Sequence, residues 1–512
     1  MNNGKWESVE EVHNHAKAAI GKQIREIIKE GTIKKYYDNP KNKGWVGNSI
    51  ESDWFYIPNN SRHEADIPYL NLEIKATPII KHSKNKVWSA KERLVLNIFD
   101  FNDEYKRTFE TASFIEKASL IEMLYYEFIK DIPSPDLFIK QAVLLKLWEL
   151  PEEDMLIIKN DWQTIINKIK EGKAEELSDS LTQYLGATTK GGKSEKNMTT
   201  QPFSDEKAHR RSFTLKTNFM SYLAKRFMSE DYTESERIIS DVSELQEKSF
   251  EQIILDKFLP YIGKTKAELG KQFNVNIPQK DDKASSRLIA RAMLNLDVDL
   301  NDTEEFVKAN IALKIVTINP KARTRGTKLP KTTEGFKLQN WSPEFTNIHE
   351  NFEDSSLFTY LSETRFLLAV FEETPTSEIF KGVKFWNVPV SDIYGNIQEV
   401  FVDTKRKIAE GIELTYKVKN TKKGYEVKNN FIPETAERIA HVRPDAGVSD
   451  YQGEALNRNG ELKNAMQLPS KSKWINRPED MKEELKDYYM TKQAYWLNPT
   501  YMYEAVKELF FD

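Results

Sequence analysis

The feature that most constrains this chain is an imperfect repetition of itself. Ser8-Val9-Glu10-Glu11-Val12, followed by Ala19-Ile20-Gly21-Lys22, returns as Ser249-Phe250-Glu251-Gln252-Ile253 and Tyr261-Ile262-Gly263-Lys264. The two glycines stand about 240 residues apart, the scale of one large domain. At nearly the same offset Asn71-Leu72-Glu73-Ile74-Lys75 faces Asn310-Ile311-Ala312-Leu313-Lys314, and Lys168-Ile169-Lys170-Glu171-Gly172 faces Lys407-Ile408-Ala409-Glu410-Gly411. Further on, Leu215-Lys216-Thr217-Asn218-Phe219 is set against Met490-Thr491-Lys492-Gln493-Ala494. Each match is short, and their shared order carries the weight. It predicts two copies of one domain, residues 1–228 and 249–512, joined by an acidic linker over 229–248.

Within the first copy, Leu72, Ile74 and Ala76 alternate with Glu73, Lys75 and Thr77. That period of two predicts a strand with one apolar and one polar face. Glu73 and Lys75 then point the same way, and Asp66 can reach them from the preceding segment. Two carboxylates and an ammonium at one point suit metal-dependent phosphodiester hydrolysis: the acids hold Mg²⁺, the metal polarises the phosphate, and the lysine orients a water. In the second copy Asp66 is matched by Glu305 and Lys75 by Lys314, but Glu73 by Ala312. Ile289–Leu296, opposite Glu51, holds no carboxylate. The second copy therefore reads as a binding domain on a silenced nuclease scaffold.

Around this centre, Ser8 and Glu11 form a capping-box signature for a helix running to about Ile28. Arg93–Phe99 reads as a strand, Ser113–Ile129 as strand-rich, and Asp161–Glu171 as an amphipathic helix. Tyr184–Phe203 reads as a loop lacking any period, and Phe213–Phe227 as a helix or strand-to-helix segment. With 79 acidic and 75 basic residues the net charge is −4, so any nucleic-acid contact must come from local basic patches. The absence of cysteine excludes disulfides, a cysteine nucleophile and thiolate zinc sites. No apolar run approaches the roughly 18 residues of a membrane span, and a cytoplasmic protein is expected.

These motifs resemble the MutH-like nucleases, and within them the two-domain Sau-type restriction endonucleases that cut at GATC. The resemblance rests on Gly44-Trp45-Val46-Gly47 with Glu51, on Asp66 and Glu73-Ile74-Lys75-Ala76-Thr77-Pro78, and on Lys91-Glu92-Arg93-Leu94-Val95-Leu96-Asn97-Ile98. It continues through Glu110-Thr111 with Lys117, Asp161-Trp162, Lys216 with Asn218-Phe219, Glu363-Thr364-Arg365-Phe366 and His441-Val442-Arg443-Pro444. The implied fold is the α/β restriction-endonuclease-like (PD-D/ExK) core, a mixed sheet flanked by helices, duplicated in tandem.

The resemblance implies Asp66 and Glu73 as ligands of Mg²⁺, Lys75 as the lysine positioning the attacking water, Glu51 as an accessory acid, and Lys117 beside the scissile phosphate. The family's base-reading loop has an Arg-Pro-Lys core. Here the first copy has Thr188-Thr189-Lys190-Gly191, with Thr214 where a tyrosine is expected two residues before Lys216. The second copy has Arg443-Pro444-Asp445, with Tyr489 at the tyrosine position. DNA contacts are accordingly expected at Lys190, Gly191, Thr214, Lys216, Arg443 and Tyr489.

The implied activity is Mg²⁺-dependent double-strand cleavage of duplex DNA at a short palindrome, leaving 5′-phosphate ends, with the C-terminal copy holding a second, effector site. The expected partners are duplex DNA at two sites and, in the same system, a cognate DNA methyltransferase without a stable complex. No membrane is expected, and the chain is read as a monomer or a DNA-induced dimer. The alternatives are a nicking endonuclease of the mismatch-repair kind and a sequence-specific DNA-binding protein without activity.

Overall fold

Strand β1 (Glu73–Lys81) is where the alternating stretch comes to rest, and the first sheet is laid around it. The computed structural model describes residues 5–39, 42, 44–58, 64–82, 87–190, 195–229, 232–278, 283–322, 330–333, 335–340, 351–420, 424–436 and 438–510. Along the first half run β2 (Trp88–Ala90), β3 (Leu94–Phe99), β4 (Leu120–Glu127), β5 (Ile139–Lys146), β6 (Leu185–Thr189) and β7 (Arg211–Leu215). One mixed sheet has the order β2-β1-β4-β5, and a second, antiparallel, has the order β3-β7-β6. β1 and β4 are parallel, with Glu73 opposite Ile121, and the crossover between them carries β3 and the helix Ser113–Ala118. Both ends of β1 are fixed chemically. Asn71 just before it takes a left-handed φ of 48°, a conformation asparagine tolerates, and the far end pairs Ile79 with Ala90 of β2.

The helix Val9–Lys17 starts where its capping box predicts, with the Ser8 hydroxyl accepting from the Glu11 amide at 3.2 Å. Val12 and Ala16 on its inner face are wholly buried with Ile74, Leu124 and Ile139. It stops well short of Ile28. The chain turns at Gly21, φ 82°, whose amide donates to the Ile139 carbonyl at 2.9 Å, and between there and Ile28 only Ile24–Ile27 is helical. Ser113–Ile129, expected to be strand-rich, divides into a helix and β4. The amphipathic helix over Asp161–Glu171 is the second half of a longer one, Glu152–Lys170. Tyr184–Phe203 is not a simple loop, since it contains β6 and the strand Met198–Gln201.

The second half carries β8 (Ile311–Asn319), β9 (Lys331–Thr332), β10 (Phe336–Asn340), β11 (Arg365–Glu373), β12 (Glu378–Trp386), β13 (Ala440–Pro444) and β14 (Gln493–Leu497). Two of its sheets have the orders β9-β8-β11-β12 and β10-β14-β13. Local details of the first half recur with them. Asn310 before β8 has φ 53°, and Gly263, φ 84°, donates its amide to the Phe380 carbonyl of β12 at 2.8 Å. Leu215 of β7 lies between Leu94 and Leu185, as Leu497 of β14 lies between Phe336 and Ala440. The strand register thus sets Leu215 against Leu497 and not against Met490.

The chain divides into two units, Met1–Ile254 with Leu296–Ile311, and Leu255–Asn295 with Ala312–Asp512. This differs from a break at a free linker over 229–248, and the reason is local. Ile238 and Ile239 are buried, and both give their amides to the Glu305 carboxylate at 2.9–3.1 Å. The Glu236 carboxylate accepts from the amides of Asp297 and Val298 at 2.7 and 3.0 Å. Residues 296–311 are thereby held to the first unit. Among the described residues no helix is long and apolar enough to cross a membrane.

One buried pair in the first unit makes stability depend on pH. Glu122 of β4 is wholly buried, with His13 Nδ1 2.9 Å from its carboxylate. Burial pushes the Glu122 carboxyl up to about 8 and holds the His13 imidazole below its ordinary value. The folded protein therefore retains a carboxyl proton that the unfolded chain gives up. Such a group contributes stability that is present below its unfolded pKa and lost as pH rises through its folded one. Glu122→Gln keeps the shape without the charge. It is expected to gain on the unmodified protein by on the order of 4 kcal/mol between pH 5 and pH 9 in urea unfolding. An identical difference at both pH values contradicts the assignment.

Candidate active site

β1 places Glu73 and Lys75 on one face, as the alternation requires. Glu73 is 1% exposed, and its Oε1 accepts from Lys75 Nζ at 2.6 Å. The turn before the strand folds back on it: the Asp66 amide donates to Glu73 Oε2 at 3.2 Å, and Asp66 Oδ2 accepts from the Ile74 amide at 2.9 Å. Those two bonds fix the acids relative to each other. Lys117, from the crossover helix, stands with Nζ 3.7 Å from Glu73 Oε1 and donates to the Glu64 carbonyl at 3.0 Å. Glu51 comes from Ile50–Trp54, a π-helical turn, a geometry frequent at functional sites.

The charges confirm that five side chains share one field. Burial, then the negative charge of Asp66, pushes the Glu51 carboxyl up to about 7; Glu73 adds to the rise, while Lys75 and Lys117 oppose it. Burial also raises Glu73 above its ordinary value, against the attraction of Lys75. For Lys75, burial disfavours the ammonium, but Glu73, Asp66 and Glu51 together outweigh it and hold the lysine charged. Among the described residues no three acids or histidines already stand as a ligand set. Asp66 and Glu73 supply a pair of carboxylates, with the half-buried Glu51 beside them. Hard oxygen donors of this kind fit Mg²⁺, which uses one or two carboxylates and keeps several waters.

The residues expected to meet DNA are dispersed. Lys190 is exposed at the end of β6, its amide donating to the Arg210 carbonyl at 2.8 Å. Gly191 lies outside the described residues. Thr214 is wholly buried, its hydroxyl 2.9 Å from that of Thr188, and Lys216 is buried with Nζ donating to the Thr182 carbonyl. Thr214 lies in β7, the middle strand of its sheet, all five of whose residues are buried, and Lys216 follows as the cap of the helix Thr217–Met228. Tyr489 belongs to a separate two-stranded sheet, Ala465–Gln467 with Tyr489–Thr491. The register instead sets Trp496 at Thr214's place, and the Arg443 guanidinium lies 4.2 Å from its ring centre.

Three supporting groups were given no role from the sequence, although Asp161 and Arg93 stand in the motifs that carry the resemblance. Asp161, in the long helix, accepts the amides of Gln183, Tyr184 and Leu185 at 2.6–2.9 Å and so sets where β6 begins. Arg93 bonds both Asp179 and the Thr188 hydroxyl. Burial favours protonated Asp179, but Arg93 and Thr188 hold its carboxyl below the ordinary value. Gly186 is required beneath them, because a Cβ there would come 2.6 Å from Asp179 Oδ1 and 3.0 Å from Thr214 Oγ1.

The family model for the DNA mismatch repair enzyme MutH matches residues 55–161, the stretch that holds Asp66, Glu73, Lys75 and Lys117. The type II restriction enzyme Sau3AI of Staphylococcus aureus is 37% identical over 506 residues, covering 97% of this chain and 98% of that protein. The DNA mismatch repair protein MutH of Shewanella woodyi is 27% identical over 190 residues, 36% of this chain and 78% of its own length. That of Pasteurella multocida is 24% identical over 185 residues, 36% and 79%.

Proposed function

The chain belongs to the Sau3AI family of type II restriction enzymes, site-specific endonucleases with a MutH domain, and from that premise we propose that it is a tandem pair of related domains of which the first cuts and the second holds DNA. Support for the tandem reading is the repeated strand order together with Asn71/Asn310 and Gly21/Gly263. The observation that carries the division of labour is the contrast at one position, Glu73 buried between Lys75 and Asp66 in the first unit and Ala312 in the second.

The reaction is double-strand hydrolysis of duplex DNA at a short palindrome, GATC by the family resemblance, leaving 5′-phosphate ends. Asp66 and Glu73 would hold Mg²⁺, which when bound supplies Lewis-acid polarisation of the phosphate and an acidified water. Lys75, aligned by Glu73, orients the attacking water. Lys117 places positive charge where the phosphate's charge develops. Glu51 adds a third carboxylate to the field around them. Incubating plasmid with Mg²⁺ and sequencing the ends tests this reading; nicked circles as the final product, or no cut at GATC, contradict it.

In the second unit Arg443 on β13 is the candidate base reader, since a guanidinium can bond a guanine edge through two donors. Arg443→Ala is expected to lower cleavage of a two-site plasmid about tenfold, the cost of one such contact, toward the rate on a one-site plasmid. Equal loss on both plasmids contradicts a role confined to the second site.

A further inference from the structure

Beside β8 the second unit has a cleft of about 720 Å³, whose charged lining among the described residues is Arg287, Lys314, Lys331, Lys337, Arg443 and Glu434. It occupies the strand position that β1 gives to the cutting centre, because Lys314 follows the left-handed Asn310 as Lys75 follows Asn71. The charge at the two places is opposite. The first unit gathers Glu51, Asp66 and Glu73 around Lys75 and Lys117. In the second, Ala312 replaces the central acid; Glu305, the acid set against Asp66, belongs to the first unit, where its carboxylate accepts from the amides of Ile238 and Ile239. Arg287 comes from the helix Lys283–Met293 that precedes β8, as Glu51 comes from the turn preceding β1.

Among the described lining residues there are five cations and one carboxylate; Lys337 pairs with Asp445 at 2.8 Å and Arg443 with Glu434 at 3.5 Å. Aromatic rings brace one wall: Lys314 Nζ lies 5.4 Å from the Phe336 ring centre, and Arg443 is seated on Trp496. Gly335 leaves room for that arrangement, since a Cβ there would meet Trp496 at 2.9 Å and Arg443 Nη1 at 3.1 Å. In the first unit, carboxylates need a metal between themselves and a phosphate. Here the cations can meet the phosphate oxygens directly, and a concave, low-dielectric wall concentrates their field.

We infer that this cleft seats a backbone phosphate of the second DNA duplex on Lys314, Arg287 and Lys331, with no divalent cation. The inference rests on the reading of the second unit as a DNA holder, and the test separates the two. The full-length Glu73→Gln protein is titrated with a GATC duplex in EDTA over a range of salt, by fluorescence anisotropy with the stoichiometry from native mass spectrometry. Two duplexes per chain are expected without metal. Lys314→Ala and Lys331→Ala are each expected to weaken the second duplex roughly tenfold and to reduce its salt slope by about 1, as for one phosphate contact. Lys314→Arg is expected to recover the slope. Should Lys314→Ala lower the melting transition, Lys331→Ala on the short strand β9 decides the matter. Two duplexes with unchanged affinity and slope in the lysine variants, or a second duplex that binds only with Mg²⁺, overturns the phosphate seat and leaves the second-site reading standing. One duplex per chain under every condition overturns both.

Discussion

Glu73→Gln is expected to slow DNA cleavage at least a thousandfold while site-specific binding persists. A buried carboxylate that holds a cation and aligns Lys75 stabilises the transition state by several kcal/mol, and each ~1.4 kcal/mol is a factor of ten in rate. Glutamine keeps the volume and can still accept from the Asp66 amide, which now reaches Glu73 Oε2 at 3.2 Å. What it loses is the charge that pairs with Lys75 at 2.6 Å and, on the proposed function, a ligand for the metal. Single-turnover cleavage measures the loss, and gel shift in Ca²⁺ measures the binding. Ala312→Glu is expected to bring no new cutting, because Glu305 is committed to the backbone of Ile238 and Ile239 and the cleft there is basic. Retention of a tenth of the activity by Glu73→Gln places the chemistry elsewhere.

The largest effect on stability is expected at Lys308. Its ammonium is 2% exposed and bonds both oxygens of Asp154 at 2.8 and 2.9 Å, with Glu304 at 3.7 Å and the Tyr222 ring centre at 4.0 Å. Burial raises Asp154 to about 6 in spite of Lys308, so at neutral pH the pair is ionised and enclosed. Removing one partner strands the other charge. Lys308→Met is expected to cost about 3–5 kcal/mol, whereas Lys308→Met with Asp154→Leu recovers much of that loss, because two apolar groups replace a costly desolvated pair. Urea unfolding followed across the first unit gives both values. Equal stability of Lys308→Met and the unmodified protein contradicts the account. The pair matters to architecture as well, since it helps bind residues 296–311 to the first unit.

The grouping of Asp66, Glu73 and Lys75 was legible in the sequence and what surrounds it was not, for physical reasons. Alternation along Leu72–Thr77 is a local property, so the strand and the shared face of Glu73 and Lys75 were legible. The echo at Asn310–Lys314 was legible too, and both asparagines prove to hold the same left-handed turn. Glu305 shows the limit: it aligns with Asp66, but its direction is set by the amides of Ile238 and Ile239, which no alignment of two short motifs reveals. β6 was missed because all five of its residues, Leu185 to Thr189, lack alternation, and its partner β7 begins only at Arg211. The match of Leu215 to Met490 slipped because the stretch from β13 to β14 in the second unit is longer than that from β6 to β7. Giving Tyr489 the tyrosine position followed from that slip, and it concealed Trp496.

The division of labour is tested most directly by supplying the second site in trans. A one-site plasmid is incubated with the enzyme and Mg²⁺, and a GATC duplex whose scissile phosphates resist hydrolysis is added in increasing amounts. The account predicts that cleavage of the plasmid accelerates toward the rate of a two-site plasmid, and that Arg443→Ala abolishes the acceleration. A duplex that only competes, slowing cleavage at every concentration, contradicts it.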